Sequence, residues 1–241
     1  MREITSNVLA DLAPQGTLRV AINYGNPVLA QEGADGTPLG VSVALAKALA
    51  DELGVELHMT TFDAAGKVFA ALEQDAWRVA FLAIEPVRAA QIEFTEPYVL
   101  IEGTYLVRSD SCWQRVEELD QAQTSIAVGR GAAYDLYLSR TLQTASLERA
   151  ETSAGAVDLF IASSLDAAAG VRQPLEQFAQ RNPDYRVLDG AFTAIRQAMA
   201  VPKGKDAGAD YVREFIERRL AEGFVRGALL ASGQTDVSAP R

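Results

Sequence analysis

The sequence predicts an α/β fold made of two successive units, each a mostly parallel sheet with helices on both faces. Short β-branched runs alternate with amphipathic runs in the first half, in the order strand, helix, strand, helix, strand. The alternation restarts at Ser125 after a polar stretch, Ser109–Gln123. Because no Gly/Ser-rich or Pro-rich linker separates the halves, we expect two packed lobes.

The first half supplies three strands and two helices. The clearest helix has apolar residues at every fourth position and stops at Gly54, as an amphipathic helix does. In chain order the predicted segments are strand Thr17–Ile22, helix Val41–Leu53, strand Val55–Thr61, a helix from about Ala64 to Asp75 capped by Asp63, and strand Arg78–Ala83.

The second half continues the alternation to the end of the chain. The predicted segments are a strand near Thr104–Arg108, strand Ser125–Val128, helix Gly131–Leu142, strand Val157–Ala162, helix Pro174–Arg181, a strand at Val187, strand Ile195–Val201, helix Tyr211–Leu220 and a short helix near Phe224–Leu230.

Composition excludes several classes of function. The 241 residues carry a formal net charge of −10, which would repel a phosphate backbone, so we expect no nucleic-acid partner. No apolar run has the length of a membrane-spanning helix, and the N-terminus, MREITSNVLADLAPQG, has no apolar core of a secretory signal peptide. We therefore expect no membrane insertion.

Metal and cofactor motifs are also missing from the sequence. Cys112 is the only cysteine, which rules out an internal disulfide, and neither zinc-type nor calcium-type spacings occur. The only histidine, His58, lies on the polar side of its predicted strand, so we interpret it as a surface or pairing residue rather than a general base. We expect no cofactor, no metal site and no catalytic residue.

Arg88 follows the third strand and a short helix opened by Pro86. The carboxyl end of a strand in an open α/β sheet faces the crevice where ligands bind, and a guanidinium can hold a carboxylate in two contacts. An exposed arginine paired with Glu85 or Glu93 is the alternative. Asn23, Tyr24 and Asn26 follow the first strand toward the same crevice, although both asparagines could equally form turns.

Gly129-Arg130-Gly131-Ala132-Ala133-Tyr134 lies between a predicted strand and a predicted helix, where free N–H groups favour an anion. It is similar to the start of a dinucleotide-binding fingerprint, but Tyr134 replaces the third glycine. A small anion, a nucleotide and a plain tight turn are the three interpretations. Arg130 could add charge there or be a solvated loop residue.

The chain resembles the extracellular solute-binding proteins of family 3, the amino-acid-type receptors of ABC importers. The resemblance spans Leu18 to about Gly233, and its segments are LRVAINYGNP, GVSVALAKALADELGV, AFLAIEPVRAAQIEFTEPY and AMAVPKG. It implies the type II periplasmic-binding-protein fold, two Rossmann-like α/β lobes joined by hinge strands near Glu102–Val107 and Thr193–Gln197. The implied lobes are 1–102 with 197–241, and 103–196.

The resemblance also implies site residues. Arg88 matches the arginine that holds the ligand's carboxylate, and Gly131, Ala132 and Ala133 match the helix start that meets the same group. Asn23 and Asn26 match positions near the ligand, and Phe81, on the strand that leads to Arg88, is also expected at the ligand site. Ala83 falls where amino-acid binders have a hydroxyl, and Ala65 or Gly66 falls near the usual aromatic lid.

One departure bears on the ligand. Ser163 falls where an aspartate would hold the ligand's α-ammonium, and Asp166 three residues later could substitute for it. A buried cation without a carboxylate partner is unfavourable, so a keto acid or other organic acid is an alternative to an amino acid.

These observations predict a monomeric, non-enzymatic solute-binding protein that closes on a small carboxylate for ABC-type uptake, with an ABC permease as partner. The resemblance implies a periplasmic location, and a cytoplasmic carboxylate sensor or carrier is the alternative. A lyase or dehydratase on the same fold, with Glu85 as its acid, is a further alternative.

Overall fold

The computed structural model describes residues 4–237 and residue 239, and it divides into two compact units. Unit 1 comprises the chain up to Leu100 and from Arg196 onward, and unit 2 comprises Ile101–Ile195. The chain passes from one unit to the other twice, each time within a strand. Unit 1 is therefore built from two separate chain segments, whereas unit 2 is continuous.

The first segment of unit 1 alternates strands and helices up to the first crossing. Its elements are α1 (Ser6–Leu12), β1 (Thr17–Asn23), β2 (Gln31–Glu32), β3 (Pro38–Leu39), α2 (Val41–Leu53), β4 (Glu56–Phe62), α3 (Ala65–Ala70), β5 (Val79–Ala83), α4 (Pro86–Ala89), β6 (Ile92–Phe94) and the start of β7 (Val99–Arg108). A 3₁₀ turn, Ala71–Gln74, extends α3.

Unit 2 repeats the alternation, and unit 1 is then completed. The remaining elements are β8 (Ser125–Gly129), α5 (Ala133–Thr141), β9 (Ser146–Ala150), α6 (Ser153–Ala162), β10 (Ala167–Val171), α7 (Arg172–Arg181), β11 (Tyr185–Val187), β12 (Thr193–Pro202), α8 (Asp206–Ala221) and α9 (Phe224–Ala231). A 3₁₀ turn, Val116–Leu119, lies in the polar stretch before β8.

The sheet of unit 1 has the strand order β4-β1-β5-β12. Strands β4, β1 and β5 are parallel, and β12 runs antiparallel to β5. One face buries Ala21, Leu82 and Ala200 against Val68 and Trp77 of the α3 region. Because the three parallel strands share a direction, their carboxyl ends lie at one edge of the sheet.

Helix α2 buries its apolar side, as the spacing of its apolar residues predicts. Its buried positions include Leu45, Leu49 and Leu53, and it ends where Gly54 takes a left-handed conformation with φ of 65°. Such a conformation favours glycine because a Cβ would clash there. Both bounds of this predicted helix are confirmed.

The sheet of unit 2 has the strand order β7-β10-β8-β9, with β11 beside β7. Strands β9, β8 and β10 are parallel, and β7 is antiparallel to β10. Phe160 and Leu175, from α6 and α7, pack on Leu106, Ala127 and Ala168 of the sheet. Each unit is thus an α/β sheet whose parallel strands end at a common edge.

Two element predictions are wrong. The predicted strand Val157–Ala162 is the second half of helix α6, which begins because the Thr152 side chain accepts the Gly155 N–H at 3.0 Å and caps it. Short apolar runs fit a buried helix and a strand equally well. The predicted Asp63 cap is also wrong, since Asp63 instead pairs with Lys67 at 2.8 Å and α3 has no side-chain cap.

Across the described residues, no helix combines the length and the apolar character needed to cross a membrane.

Candidate functional site

Arg88 lies at the carboxyl edge of the unit 1 sheet. Strand β5 ends at Ala83, and Pro86 opens the short helix α4, which turns the chain back over the strand end. The Arg88 side chain is fully buried, and its Nη1 donates to the Ala83 carbonyl oxygen at 3.0 Å. The alternative interpretation, an arginine on an exposed turn, is therefore wrong.

Electrostatics keep Arg88 charged despite its burial. Burial lowers the pKa of the guanidinium to about 10, and the negative charge of Glu85 acts in the opposite direction. Glu85 is itself 7% exposed. At neutral pH Arg88 is therefore a cation, and its five N–H donors allow it to hold a carbonyl and further acceptors at the same time.

The two asparagines that follow β1 are both buried and both form turns. Asn23 Oδ1 accepts the Gly25 N–H at 2.9 Å, and Asn26 Oδ1 accepts the Val28 N–H at 3.2 Å. The turn-forming interpretation therefore holds for the side-chain oxygens, which leaves the amide NH₂ groups as the parts that could meet a ligand.

Gly25 brings this loop against the loop that follows β4. A Cβ atom at Gly25 would lie 2.7 Å from the Asp63 carbonyl oxygen, so only glycine allows the two loops to approach this closely. The Tyr24 N–H donates to the Phe62 carbonyl at 2.7 Å, and partial burial together with Glu32 raises the pKa of its phenol. Residues 23–26 and Arg88 thus lie at the same edge of one sheet.

The Phe81 side chain and the Ala83 backbone oxygen each have a partner within the protein. The Phe81 ring packs edge-to-face on Tyr98, with centroids 6.0 Å apart, and the Tyr98 hydroxyl lies 3.2 Å from Ser42 Oγ. Phe81 therefore supports the core beneath the edge. Ala83 supplies its backbone oxygen to Arg88.

In unit 2 the turn after β8 already holds an anion that belongs to the protein. The Gly131 N–H donates to Asp135 Oδ2 at 2.8 Å, and the Ala132 N–H donates to the Gly129 carbonyl at 3.1 Å. Asp135 is 3% exposed and also accepts from Arg149 Nε at 3.0 Å. The carboxylate thus takes one of the predicted N–H groups, and the Ala133 N–H, at the first helical position, has no acceptor within the helix.

Tyr134 closes this turn to a nucleotide. Its hydroxyl accepts the Gly129 N–H at 3.3 Å and donates to Ser153 Oγ at 2.8 Å, and burial raises its pKa to about 12. The hydroxyl occupies the space that a diphosphate would need to approach the turn. Arg130 is exposed and pairs with Glu151 at 3.2 Å, as the solvated-loop interpretation expected.

The structure does not bring Ser163 and Asp166 to this turn. Ser163 is the exposed C-cap of α6, and Asp166 Oδ2 accepts the Ser125 N–H at 2.8 Å. Ser125 begins β8, whereas the Gly131 turn follows the end of the same strand, about 13 Å away at about 3.3 Å per residue. Both residues therefore lie at the amino edge of the unit 2 sheet, opposite the Gly131 turn.

Sequence reasoning missed Arg172 and Glu102. Arg172 follows the carboxyl end of β10, forms an ion pair with Glu102 of β7 and lies 3.4 Å from Glu176. The strand Ala167–Val171 (AAAGV) escaped detection because alanine and glycine are poor strand formers. Recognition of that strand would have pointed to the residues that follow it.

Within residues 4–237 and 239, no group of three or more His, Cys, Asp or Glu side chains could hold a metal ion.

Solved structures with the same fold span different functions. An amino acid ABC transporter substrate-binding protein, AbpA from Streptococcus pneumoniae bound to L-arginine, is 23% identical, with a TM-score of 0.79 over 92% of this chain and 96% of that one. The ancestral amino-acid-binding protein AncCDT-1, a precursor of cyclohexadienyl dehydratase, is 23% identical, with a TM-score of 0.76 over 91% and 96%. A histidine kinase sensor domain with similarity to periplasmic binding proteins is 22% identical, with a TM-score of 0.79 over 93% and 98%.

Identities this low establish the fold alone. No curated protein sequence matches the chain significantly. The model of the bacterial extracellular solute-binding proteins, family 3, matches residues 18–227, which is most of the chain. Together with the two α/β units, this match shows that the chain belongs to the bacterial extracellular solute-binding proteins of family 3.

Proposed function

We propose that this chain binds a small carboxylate-bearing molecule, an amino acid or a related organic acid, and delivers it for ABC-type uptake. The buried Arg88 carries the proposal. A cation held at the carboxyl edge of an α/β sheet lies where such sheets bind ligands, and its planar fork suits a carboxylate. Asn23, Tyr24, Asn26 and the Ala133 N–H would supply further polar contacts.

The proposed mode of action is closure of two lobes, 1–102 with 197–241 and 103–196, around the ligand. Strands β7 and β12 would be the hinges, since the chain changes unit within them. Closure is favourable only when a ligand contacts both lobes. We propose a monomer that works outside the cytoplasmic membrane and meets an ABC permease, which is consistent with the family's description.

A ligand screen with a charge-conserving variant tests this proposal. We expect an α-amino acid, a 2-oxo acid or a dicarboxylate to raise the melting temperature of the purified protein. Arg88→Lys should weaken binding of that compound by about 10–100-fold, because it keeps the charge but loses the fork. Arg226→Lys, at an exposed position on α9, should have no effect.

The measurements also separate binding from the alternatives. Isothermal titration calorimetry gives the affinities, and small-angle scattering should show a smaller radius of gyration with ligand. Conversion of the compound during incubation would indicate a lyase instead. An affinity that is unchanged in Arg88→Lys would remove Arg88 from the site.

A further inference from the structure

Two arginines lie side by side in unit 1 at the sheet edge opposite Arg88. Arg19 is on β1, and Arg78 directly precedes β5. Val20 pairs with Val79 in the parallel register, and the Arg78 N–H donates to the Arg19 carbonyl at 2.8 Å. Both arginines therefore lie at the amino ends of neighbouring strands, whereas Arg88 lies at the carboxyl end of the same sheet.

A single carboxylate lies between the two guanidinium groups. Asp75 Oδ2 accepts from Arg19 Nη2 at 2.9 Å and from Arg78 Nη2 at 3.0 Å. Like charges on adjacent strand positions repel, and this carboxylate compensates only one of them. The cluster therefore keeps one excess positive charge on a chain whose net charge is −10.

The cluster lines an open cavity of about 250 Å³, whose other walls are Pro14, Gln15 and Thr17. The Arg19 and Arg78 side chains are 32% and 13% exposed, so they are partly withdrawn from water, where charge interactions are stronger.

Polar groups around the cavity add donors but no second acid to its wall. Gln15 and Thr17 bring an amide and a hydroxyl. His58 is the register neighbour of Arg19 on β4 and is a third basic side chain on this part of the sheet. Glu56 is the register neighbour of Thr17, is exposed, and is not part of the cavity lining.

We propose that this cavity is a second binding site, separate from the ligand edge, for a compact oxyanion such as inorganic phosphate. Arg19 and Arg78 are its cationic partners, and Gln15 and Thr17 are hydrogen-bonding groups of its wall. A volume near 250 Å³ accommodates a tetrahedral oxyanion with several water molecules, each of which takes up about 30 Å³. The proposal does not depend on the identity of the transported solute.

Titration with inorganic phosphate at constant ionic strength tests the site. We expect saturable heat in calorimetry of the full chain at pH 7. Arg19→Gln and Arg78→Gln should each raise the dissociation constant of phosphate at least about tenfold, because each removes a charge-assisted contact. Arg226→Gln makes the same charge change at an exposed position of the same unit and should leave the constant unchanged.

Asp75→Asn distinguishes a binding site from a cluster that only stabilises the fold, because only a binding site should take up phosphate more tightly in this variant. Asp75 has a φ of 51°, a left-handed conformation that asparagine tolerates, so the turn should persist. Removal of the carboxylate leaves two uncompensated arginines, and phosphate should then bind about threefold more tightly or better. The proposal would be overturned if phosphate did not bind, or if Arg226→Gln lost as much phosphate affinity as the two cluster variants. It would also be overturned if Arg88→Lys lost phosphate affinity and Arg19→Gln did not.

Discussion

At the scale of single residues, the hydrogen-bond partners of a buried charged side chain cannot be identified from the sequence. The motif around Arg88 indicated a functional arginine, but its bond to the Ala83 carbonyl appears only in the structure. Gly131 is predicted to bind a ligand's carboxylate, and in the structure its N–H donates to the Asp135 carboxylate in the first turn of α5. Asp135 lies only four residues after Gly131, so this contact is local, whereas the hydrogen bond that Asp135 accepts from Arg149 depends on the fold of unit 2.

Asp120 shows how strongly one carboxylate can organise a loop. It accepts the N–H groups of Gln143, Thr144 and Ala145 at 2.8 to 3.1 Å and also the Thr144 hydroxyl. These hydrogen bonds, with that from Ala145 the strongest influence, lower its pKa to about 2. The bonds favour the ionised form, so they stabilise the folded state only while Asp120 is charged.

We therefore predict that Asp120→Asn lowers the free energy of unfolding at pH 7 by about 1–3 kcal/mol. A depressed folded pKa contributes stability that is present above the unfolded value, near 3.9, and is lost as pH falls toward about 2. The difference between wild type and variant should therefore shrink between about pH 4 and pH 2. Urea denaturation across this range measures it.

Asp158→Asn serves as the control for this prediction. Asp158 is exposed on α6, so its substitution should change stability little at any pH. A constant difference between wild type and Asp120→Asn down to pH 2 would contradict the role assigned to the charge.

At the scale of elements, strong apolar periodicity located helix α2, whereas a strand of small residues gave no signal. Helix α2 has both predicted bounds because its spacing and Gly54 agree. Strand β10 was missed because its small residues, buried between β8 and β7, carry no alternation. The resemblance had placed Ser163 and Asp166 near the ligand, and the position of β10 puts both before the amino end of that strand.

Helices α2 and α8 are tied by a shared acid. Glu52 has a side chain 10% exposed, and it accepts from the Tyr211 hydroxyl at 2.7 Å, from Arg219 Nη2 at 2.9 Å and from Arg218. The Arg219 guanidinium also lies over the Phe215 ring, 5.0 Å from its centroid. Loss of the acid would leave two arginines without their common partner.

We predict that Glu52→Gln lowers the free energy of unfolding by about 2–3 kcal/mol. This loss of stability is smaller than the loss expected when a fully buried ion pair is broken, because both arginines stay partly exposed. Tyr211→Phe should lower it by about 1 kcal/mol through one lost hydrogen bond. Glu217→Gln, at an exposed position on α8, is the control. Chemical denaturation measures all three variants, and equal losses of stability in Glu52→Gln and Glu217→Gln would contradict the role assigned to Glu52.

At the scale of the whole molecule, the sequence predicted two α/β units, and the structure has two. Alternation of strands and helices was sufficient for the class of fold, and family resemblance was needed to expect that the chain returns to the first unit. Periodicity alone cannot reveal this return, since it depends on which strand lies beside β5. Strand β12 takes that place, in antiparallel register from Gln197 to Ala200.

This discontinuity has a consequence for synthesis on the ribosome. Unit 2 ends at Ile195, so all of it emerges before Gln197–Ala200, the part of β12 that pairs with β5. Unit 2 can therefore acquire its fold while β5 still has an open edge. We predict that a chain truncated after Ile195 retains slow amide hydrogen exchange in β8 and β10 but not in β1 and β5. Equal protection of all four strands would show that the first hundred residues mature without their C-terminal completion.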